Sequence, residues 1–318
     1  MSDISRAALN AVFTESSTRP RPVSATKPLM GGRATLTLLG GNAQLLTECW
    51  SFLNELEQLW SRFLPNSDIT KLNWAQGLPV EVDPRTTILI NEMKDGVIRT
   101  GGRFDPTRLP ELMAIGYSAS RVDPKMVTRL PDSAISPGRI DLVQISNQTV
   151  TIPVGTTLDA GGIGKGLAAD LVASFALEHG AWGAMAEIAG DVRVAGEAPD
   201  GVAWRLGVEN PFERGSHSAV VRIPDGGVVT SSQRKKRFGE DLQRHHLIDP
   251  ATGESAATSV ATVTVLARTA AIAETLTKPG FTQSVRTYLD WLPSQGAAGF
   301  VIEGDGTAHE SENWSQYR

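Results

Sequence analysis

Hydrophobic and polar positions recur with two different periods along this chain, which separates predicted helices from predicted strands. Helices are predicted where apolar residues recur every three or four positions. These segments are 42–63, 85–100, 164–179, 269–278 and 283–291. Strands are predicted where apolar residues alternate or β-branched residues cluster. These segments are 33–39, 184–188, 192–195, 204–209, 219–223, 258–266 and 299–303, with a hairpin over 141–153. Helices and strands follow one another without a regular βαβ rhythm, so the pattern favours an α+β fold.

The first part of the chain lacks the apolar run of a secretory signal or a membrane anchor. Residues 1–27 predict a helical arm or a disordered lead-in, and Thr18 to Pro28 predict a linker. No segment approaches the length that crosses a bilayer. We therefore expect a cytoplasmic protein with no membrane span, whose main domain covers residues 28–318.

The composition excludes some kinds of binding partner and some kinds of site. The formal net charge is -5 over 318 residues, so we expect no nucleic-acid binding. Cys49 is the only cysteine, which excludes a disulfide framework and a cysteine-based zinc site, and fits a reducing compartment. A hydrophobic fraction of 41% suffices for a large core, in one large domain or two intimate subdomains.

The glycine-rich turn from Leu158 to Gly166 has the strongest local chemistry in the sequence. Its glycines permit close approach of a ligand, and the turn leads directly into a predicted helix, whose first N–H groups attract anions. Lys165 adds a positive charge, and Asp159 offers a hydrogen-bond acceptor. The pattern matches neither a Walker A loop nor a Rossmann fingerprint. It indicates a phosphate-bearing nucleotide, or else a tight loop with a solvated lysine.

Three other segments have weaker chemistry. His246 and Asp249 lie beside a Pro-x-x-Gly turn, where they predict either a phosphoryl-transfer site or an ordinary turn with exposed histidines. Adjacent histidines without a third ligand argue weakly for zinc. The basic run 234–237 predicts a solvated hairpin, with contact to an acidic protein partner or to phosphate oxygens as the alternative. The turn 188–192 predicts a structural connection between two short strands.

The predicted helix 269–278 contains an acid and a base four residues apart. Glu274 and Lys278 share one helix face, which predicts an i,i+4 ion pair worth a few tenths of a kcal/mol. Alternatively, oxygens of Glu274 and Thr277 would bind Mg²⁺, which prefers oxygen ligands and accompanies phosphates.

Several of these segments together resemble the ApbE family of FAD:protein FMN transferases, from Met30 to about Phe281. Met30-Gly31-Gly32 and the run Trp60 to Phe63 come first. Gly102 to Thr107 is similar to the family's G-x-x-D-x-T, and Asp159 to Asp170 to its D-x-x-x-x-x-K-G-x-x-x-D. The remaining similar pieces are Ala189-Gly190-Asp191, Thr230-Ser231 and His246-Leu247-Ile248-Asp249-Pro250.

This resemblance implies an ApbE-like, T-fold-like domain that binds FAD. The family cleaves the FAD diphosphate, attaches FMN to a threonine or serine of a target flavoprotein, and releases AMP. The residues that would line the FAD site are Met30, Phe63, Arg103, Phe104, Asp105, Asp159, Lys165 and Ile248. His246, Asp249 or Glu274 would assist proton transfer. A magnesium ion would lie between the Gly162 backbone, Glu274 and Thr277.

The chain departs from the family pattern at its late helix. The family has A-D-A-x-x-T there, whereas this chain has Glu274 at the aspartate and Lys278 at the threonine. A protonated lysine cannot bind a metal ion and would repel Mg²⁺ at contact distance. Three functions follow as alternatives: an active FMN transferase, an FAD-binding protein without catalysis, and a Mg²⁺-dependent FAD pyrophosphatase.

Overall fold

The structure is a computed structural model that describes residues 19–120, 122–234, 237–238 and 244–318. Its helices are α1 (Ala43–Trp60), α2 (Asp68–Trp74), α3 (Pro84–Thr100), α4 (Leu109–Ala114), α5 (Gly164–Glu178), α6 (Ala270–Leu276) and α7 (Val285–Trp291). Its strands are β1 (Val23–Leu29), β2 (Gly32–Leu39), β3 (Val80–Glu81), β4 (Gln144–Ser146), β5 (Thr149–Thr151), β6 (Gly183–Ile188), β7 (Asp191–Gly196), β8 (Trp204–Glu209), β9 (His217–Ile223), β10 (Gly226–Ser232), β11 (Arg237–Phe238), β12 (Arg244–His245), β13 (Val260–Ala267), β14 (Ala298–Glu303) and β15 (Ala308–Glu310).

One antiparallel sheet organises the fold. Its eight strands lie in the order β1-β2-β6-β7-β10-β13-β14-β15. The central strand β13 is buried along nearly its whole length, as its run of valines and other apolar residues predicts. The strand β1 is mostly exposed, and Pro28 lies in it, which an edge strand tolerates.

Helices cover one face of this sheet. The helices α1, α5 and α6 pack against it, and their apolar residues form the main core. Asn42 caps α1 by accepting a 2.8 Å hydrogen bond from the Leu45 N–H. The helix α5 is buried on most sides, which explains why its small and apolar residues show little preference for one face.

The opposite face of the sheet is covered by the β8–β9 hairpin and the C-terminal segment. Trp204 and Leu206 of β8 join Phe300 of β14 and Trp314 in a second cluster of buried residues. The rings of Phe300 and Trp314 stack at 5.3 Å between centroids. The sheet is therefore enclosed on both sides within one α+β domain, which confirms the predicted fold class.

Most predicted elements are confirmed, and a few predictions are wrong. The linker prediction fails from Val23, because β1 begins there and pairs with β2 along seven residues. The helices α2 and α4 and the strands β10 and β15 were not predicted. The predicted lead-in over residues 1–18 and the middle of the basic run, residues 235–236, lie outside the described residues. Within the described ranges, no helix has the length and apolar character needed to cross a membrane.

Candidate active site

A cleft of about 450 Å³ lies beside the start of α5. Seven separate parts of the chain line it: the β1–β2 turn, the end of α1, residues 103–112, residues 117–126, the glycine-rich turn, the loop 246–250, and the segment that contains Lys278 and Phe281. These parts are up to 253 residues apart in sequence, taking Pro28 and Phe281 as the ends. The cleft therefore depends on the tertiary fold rather than on one local motif.

Two tight turns fix the part of the cleft rim that contains Met30. Met30 has φ 47° in the β1–β2 turn, and Ala189 has φ 53° in the β6–β7 turn. The turns touch, since a Cβ on Gly32 would lie 2.7 Å from the Ala189 Cβ, so a larger residue at Gly32 would separate them. Glu57 of α1 accepts a 2.7 Å hydrogen bond from the Met30 N–H. The turn predicted at 188–192 is thus confirmed as a connection that supports the site.

Arg62 organises the aromatic end of the cleft. Its guanidinium lies 4.3 Å from the ring centroid of Phe63 and 5.0 Å from that of Tyr117. Its Nε is 3.4 Å from the Asp159 carboxylate, and its terminal nitrogens donate to Thr128 Oγ1 and to the Tyr117 carbonyl. A buried guanidinium with these partners is rigid. Arg62 therefore holds both the aromatic rings and Asp159 in place.

Asp105 uses its carboxylate to shape its own turn. Its Oδ1 accepts from the N–H and the hydroxyl of Thr107, at 2.9 and 2.6 Å. Its Oδ2 accepts from Arg108 Nε at 2.9 Å. Arg108 also donates to the Pro250 carbonyl at 2.7 Å and so ties this turn to the histidine loop. The D-x-T pattern has a structural basis: it joins two walls of the cleft.

The glycine-rich turn packs too closely for larger residues. A Cβ on Gly166 would lie 2.5 Å from the Ala270 carbonyl oxygen, and one on Gly162 would lie 3.0 Å from the Phe104 ring. Glycine at these positions brings α5 against the start of α6 and against Phe104. The start of α5 therefore lines the cleft at Gly164 and Lys165, where the helix dipole favours an anion, whereas the Gly166 N–H is taken by Glu274.

Asp170 connects α5 to α6. Its two carboxylate oxygens each accept a 2.8 Å hydrogen bond, one from the Ala270 N–H and one from the Ala271 N–H. Arg193 lies 3.2 Å from the same carboxylate. Burial nevertheless raises the pKa of Asp170 to about 6. The last aspartate of the resembling segment thus caps α6 and sets its position.

Four charged side chains meet behind the glycine-rich turn, and we call Lys165, Asp191, Glu274 and Lys278 the Lys165 cluster. The Lys165 ammonium contacts the carboxylates of both Asp191 and Glu274. The second Glu274 oxygen accepts a 2.8 Å hydrogen bond from the Gly166 N–H. Two cations and two anions balance within the cluster.

The protonation of the Lys165 cluster follows from burial and charge pairing. Burial opposes the charge on Lys165, but Asp191 and Glu274 outweigh it and hold the pKa of Lys165 above its ordinary value. Burial raises the pKa of Asp191 to about 6 against the attraction of Lys165. Burial also disfavours ionised Glu274, but Lys165 and Lys278 outweigh burial and lower its pKa. Burial and the neighbouring Lys165 lower the pKa of Lys278 to about 8.

Lys278 does not form the predicted i,i+4 ion pair. Its Nζ donates to the Glu274 carbonyl at 3.0 Å, not to the carboxylate, and to the hydroxyls of Ser231 and Thr277 at 3.2 Å each. The reason is that α6 ends at Leu276 and the chain tightens into a 3₁₀ turn from Lys278. The ammonium therefore lies at the end of the helix, where it donates to one carbonyl of the last turn, that of Glu274.

The predicted magnesium ligands do not fit a metal ion. Both Glu274 carboxylate oxygens are engaged, one by Lys165 and one by the Gly166 N–H. The Thr277 hydroxyl accepts from Lys278 and donates to the Glu274 carbonyl. A Cβ on Gly162 would lie 3.5 Å from the Lys278 Cε, so the lysine fills the space between turn and helix. Among the described residues, no group of three His, Cys, Asp or Glu side chains is placed to hold a metal.

The structure brings most of the predicted site residues to one cleft. Those that line it are Met30, Phe63, Arg103, Phe104, Asp105, Asp159, Gly162, Lys165, His246 and Ile248. Three predicted residues lie outside its lining: Asp249, Glu274 and Thr277. Asp249 accepts a 2.9 Å hydrogen bond from the Ala251 N–H and so caps its own turn. Glu274 and Thr277 lie behind the turn, in contact with Lys165 and Lys278.

Sequence reasoning did not assign several residues that build the site. Arg62, Tyr117 and Arg108 line the cleft, and Asp191 pairs with Lys165. Asp191 follows the Ala-Gly turn that resembles a family motif, so that motif was a usable signal. No sequence signal pointed to Tyr117, because it lies in an irregular loop whose position depends on Arg62.

Sequence comparisons match the chain to the ApbE family and to proteins named FAD:protein FMN transferase. Residues 30–301 match the ApbE family model. A Treponema pallidum protein named FAD:protein FMN transferase is 28% identical over 246 residues, which cover 70% of this chain and 66% of that protein. A Haemophilus influenzae protein of the same name is 32% identical over 241 residues, which cover 72% of this chain and 69% of that protein.

Solved structures share the fold over nearly the whole chain. The ApbE protein of Thermotoga maritima has a TM-score of 0.80 and 25% identity, covering 93% of this chain and 99% of that one. The flavin transferase ApbE of Vibrio cholerae has a TM-score of 0.76 and 22% identity, covering 94% of this chain and 99% of that one. With the family match over more than half of its length, this chain belongs to the ApbE family.

Proposed function

We propose that this protein is an FAD:protein FMN transferase, which moves FMN from FAD to a threonine or serine hydroxyl of an acceptor flavoprotein. One observation carries the proposal: a cleft large enough for a ligand opens onto the N-terminus of α5 at a turn of closely packed glycines. The relatives named for this activity support it. FAD is the small-molecule substrate, and AMP is the leaving product.

The two ends of the cleft suit the two chemical parts of FAD. Phe63, which Arg62 contacts and which lines the cleft, offers an apolar ring face for a planar heterocycle at one end. Tyr117, stacked on Phe238, supports that end. The start of α5 would offer the N–H groups of Gly164 and Lys165 to the diphosphate. Asp159 accepts hydrogen bonds, so it would recognise a ring N–H or a ribose hydroxyl. Arg103 is exposed at the cleft edge, where it would contact a phosphate oxygen.

The reaction that we propose is a phosphoryl transfer with a balanced exchange of bonds. The acceptor hydroxyl oxygen forms a bond to the phosphorus on the FMN side, and the anhydride bond from that phosphorus to the bridging oxygen breaks. AMP leaves with the bridging oxygen. The hydroxyl proton goes to a base, and we assign that role to His246, because it lines the cleft whereas Asp249 and Glu274 do not.

The Lys165 cluster would act on the reaction by holding α5 and α6 together. Lys165 is neutralised by two carboxylates, so its part is to fix the glycine-rich turn rather than to carry an unpaired charge. The negative charge of the diphosphate repels the incoming hydroxyl oxygen. The N–H groups at the start of α5 and the cations at the cleft would reduce this repulsion.

The test is a transfer assay with purified components. The protein is incubated with FAD and an acceptor flavoprotein domain, and with the same domain carrying alanine at its flavinylated hydroxyl residue. We expect AMP release and an acceptor heavier by one FMN, which retains flavin fluorescence in a denaturing gel. The alanine acceptor should stay unlabelled.

Other results would contradict the transferase proposal in distinguishable ways. AMP and free FMN in equal amounts without labelled acceptor would indicate hydrolysis. FAD binding without AMP release would indicate a protein that only holds the dinucleotide. Because the acceptor lacking the hydroxyl is tested in parallel, labelling of a different residue would also be detected.

A further inference from the structure

Lys278 is a cation that the proposed chemistry has not yet used. Its side chain lines the cleft beside the glycine-rich turn, and it stands where the family resemblance expects a metal-binding threonine. The nearby Gly162 is close enough that an added Cβ would meet the lysine side chain at 3.5 Å. A positive charge at this place lies next to the predicted diphosphate position.

The surroundings of Lys278 resemble the coordination of a small cation. Three oxygens accept from its Nζ: the Glu274 carbonyl, the Thr277 hydroxyl and the Ser231 hydroxyl. The hydroxyls of Ser231 and Thr277 are themselves 2.7 Å apart, which fixes their orientation. An ammonium group has three donors, and this arrangement satisfies all of them.

Lys278 differs from Lys165 in the charge of its partners. Lys165 contacts two carboxylates, which cancel its field. The three oxygens that accept from Lys278 are neutral, so its ammonium has no carboxylate in direct contact, and Asp191 and Glu274 act on its charge only from a greater distance. In a partly enclosed site, such a charge acts on a diphosphate more strongly than it would in open water.

We propose that Lys278 is a built-in cation that replaces a divalent metal. The protein would therefore bind FAD, and transfer FMN from it, without Mg²⁺. The proposal rests on the proposed function, since FAD is the ligand in both. Its basis is geometric. The Lys278 ammonium lines the cleft, and it already occupies the space between the three oxygens of Ser231, Glu274 and Thr277. The lysine replaces the metal's charge at the diphosphate, and the bonds formed and broken are those of the transfer described above.

Binding of FAD, measured by isothermal titration in EDTA and in Mg²⁺, tests this proposal. For the wild-type protein we expect a Kd that differs by less than about threefold between the two conditions. Lys278→Met should weaken FAD binding by about tenfold or more in both conditions, because the positive charge beside the diphosphate is lost. Lys278→Thr should show the same loss in EDTA, but Mg²⁺ should restore its binding, since threonine supplies an oxygen instead of a repelling ammonium.

A matched control separates this effect from general loss of lysine charge. Lys71 is half exposed on α2 and pairs with Asp68, away from the cleft lining, so Lys71→Thr should bind FAD like the wild type. Circular dichroism of each variant verifies folding. Two results would overturn the proposal of a built-in cation while leaving the proposed function intact. One is a wild-type affinity for FAD that rises about tenfold with Mg²⁺, and the other is a Kd for FAD that Lys278→Met leaves unchanged. No FAD binding by the wild type in either condition would overturn the proposed function and this inference with it.

Discussion

Removal of the Lys165 ammonium should destabilise the whole protein, not only its site. Lys165→Met keeps a side chain of similar length but leaves the Asp191 and Glu274 carboxylates without their central cation. These carboxylates are 5% and 1% exposed, so water cannot replace the lost partner. Breaking a buried ion pair from one side typically costs about 3–5 kcal/mol.

The structure favours the lower end of this range. Glu274 keeps the hydrogen bond from the Gly166 N–H, and Lys278 remains close enough to lower its pKa. We therefore expect a loss of about 3 kcal/mol in the free energy of unfolding, or a Tm lower by roughly 4–5 °C for a chain of 318 residues. Urea unfolding at pH 7, followed by circular dichroism, measures this change directly.

A triple variant tests the physical reason for that loss. Lys165→Met combined with Asp191→Asn and Glu274→Gln removes the unpaired charges, so most of the stability should return. The surface variant Lys71→Met, whose side chain is 50% exposed, should stay within about 0.5 kcal/mol of the wild type. Our account of the cluster would be refuted if Lys165→Met unfolded within about 1 kcal/mol of the wild type.

Two further predictions concern Asp170 and His246. Burial raises the pKa of Asp170 in the folded protein from 3.8 to about 6. Between these pH values the folded protein binds more protons than the unfolded chain. The contribution of Asp170 to the free energy of unfolding therefore falls as pH rises. Asp170→Asn should reduce that downward slope by up to about 1.4 kcal/mol per pH unit, as urea unfolding from pH 4 to 6 would measure, and an unchanged slope would contradict it. His246→Asn should lower the transfer rate by about 10²–10⁴-fold while the Kd for FAD stays within about threefold, and an unchanged rate would remove histidine from the reaction.

Elements with a strong internal pattern could be predicted from the sequence, whereas those defined by their neighbours could not. The helix α1 follows its apolar spacing from the Asn42 cap to Trp60. By contrast, β1 is a mostly exposed edge strand with a proline, so its sequence resembles a linker, and pairing with β2 makes it a strand. The strand β10 begins with two glycines, and burial between β7 and β13 determines its conformation.

The site shows the same division. Motif order predicted which residues line the cleft, because each motif forms a local turn, such as the one that Asp105 makes with Thr107. The partners of charged residues could not be predicted, because they depend on long-range packing. Lys165 was expected to face a diphosphate, yet Asp191 and Glu274, 26 and 109 residues away, take its ammonium.

The most direct test of the account is a crystal structure with FAD and Mn²⁺ both present. We expect FAD in the cleft, with its diphosphate between the start of α5 and the Lys278 ammonium and its flavin or adenine ring against Phe63. We expect no anomalous manganese signal beside Glu274. Dinucleotide bound elsewhere, or a manganese ion bridging the diphosphate to Glu274 with Lys278 displaced, would contradict it.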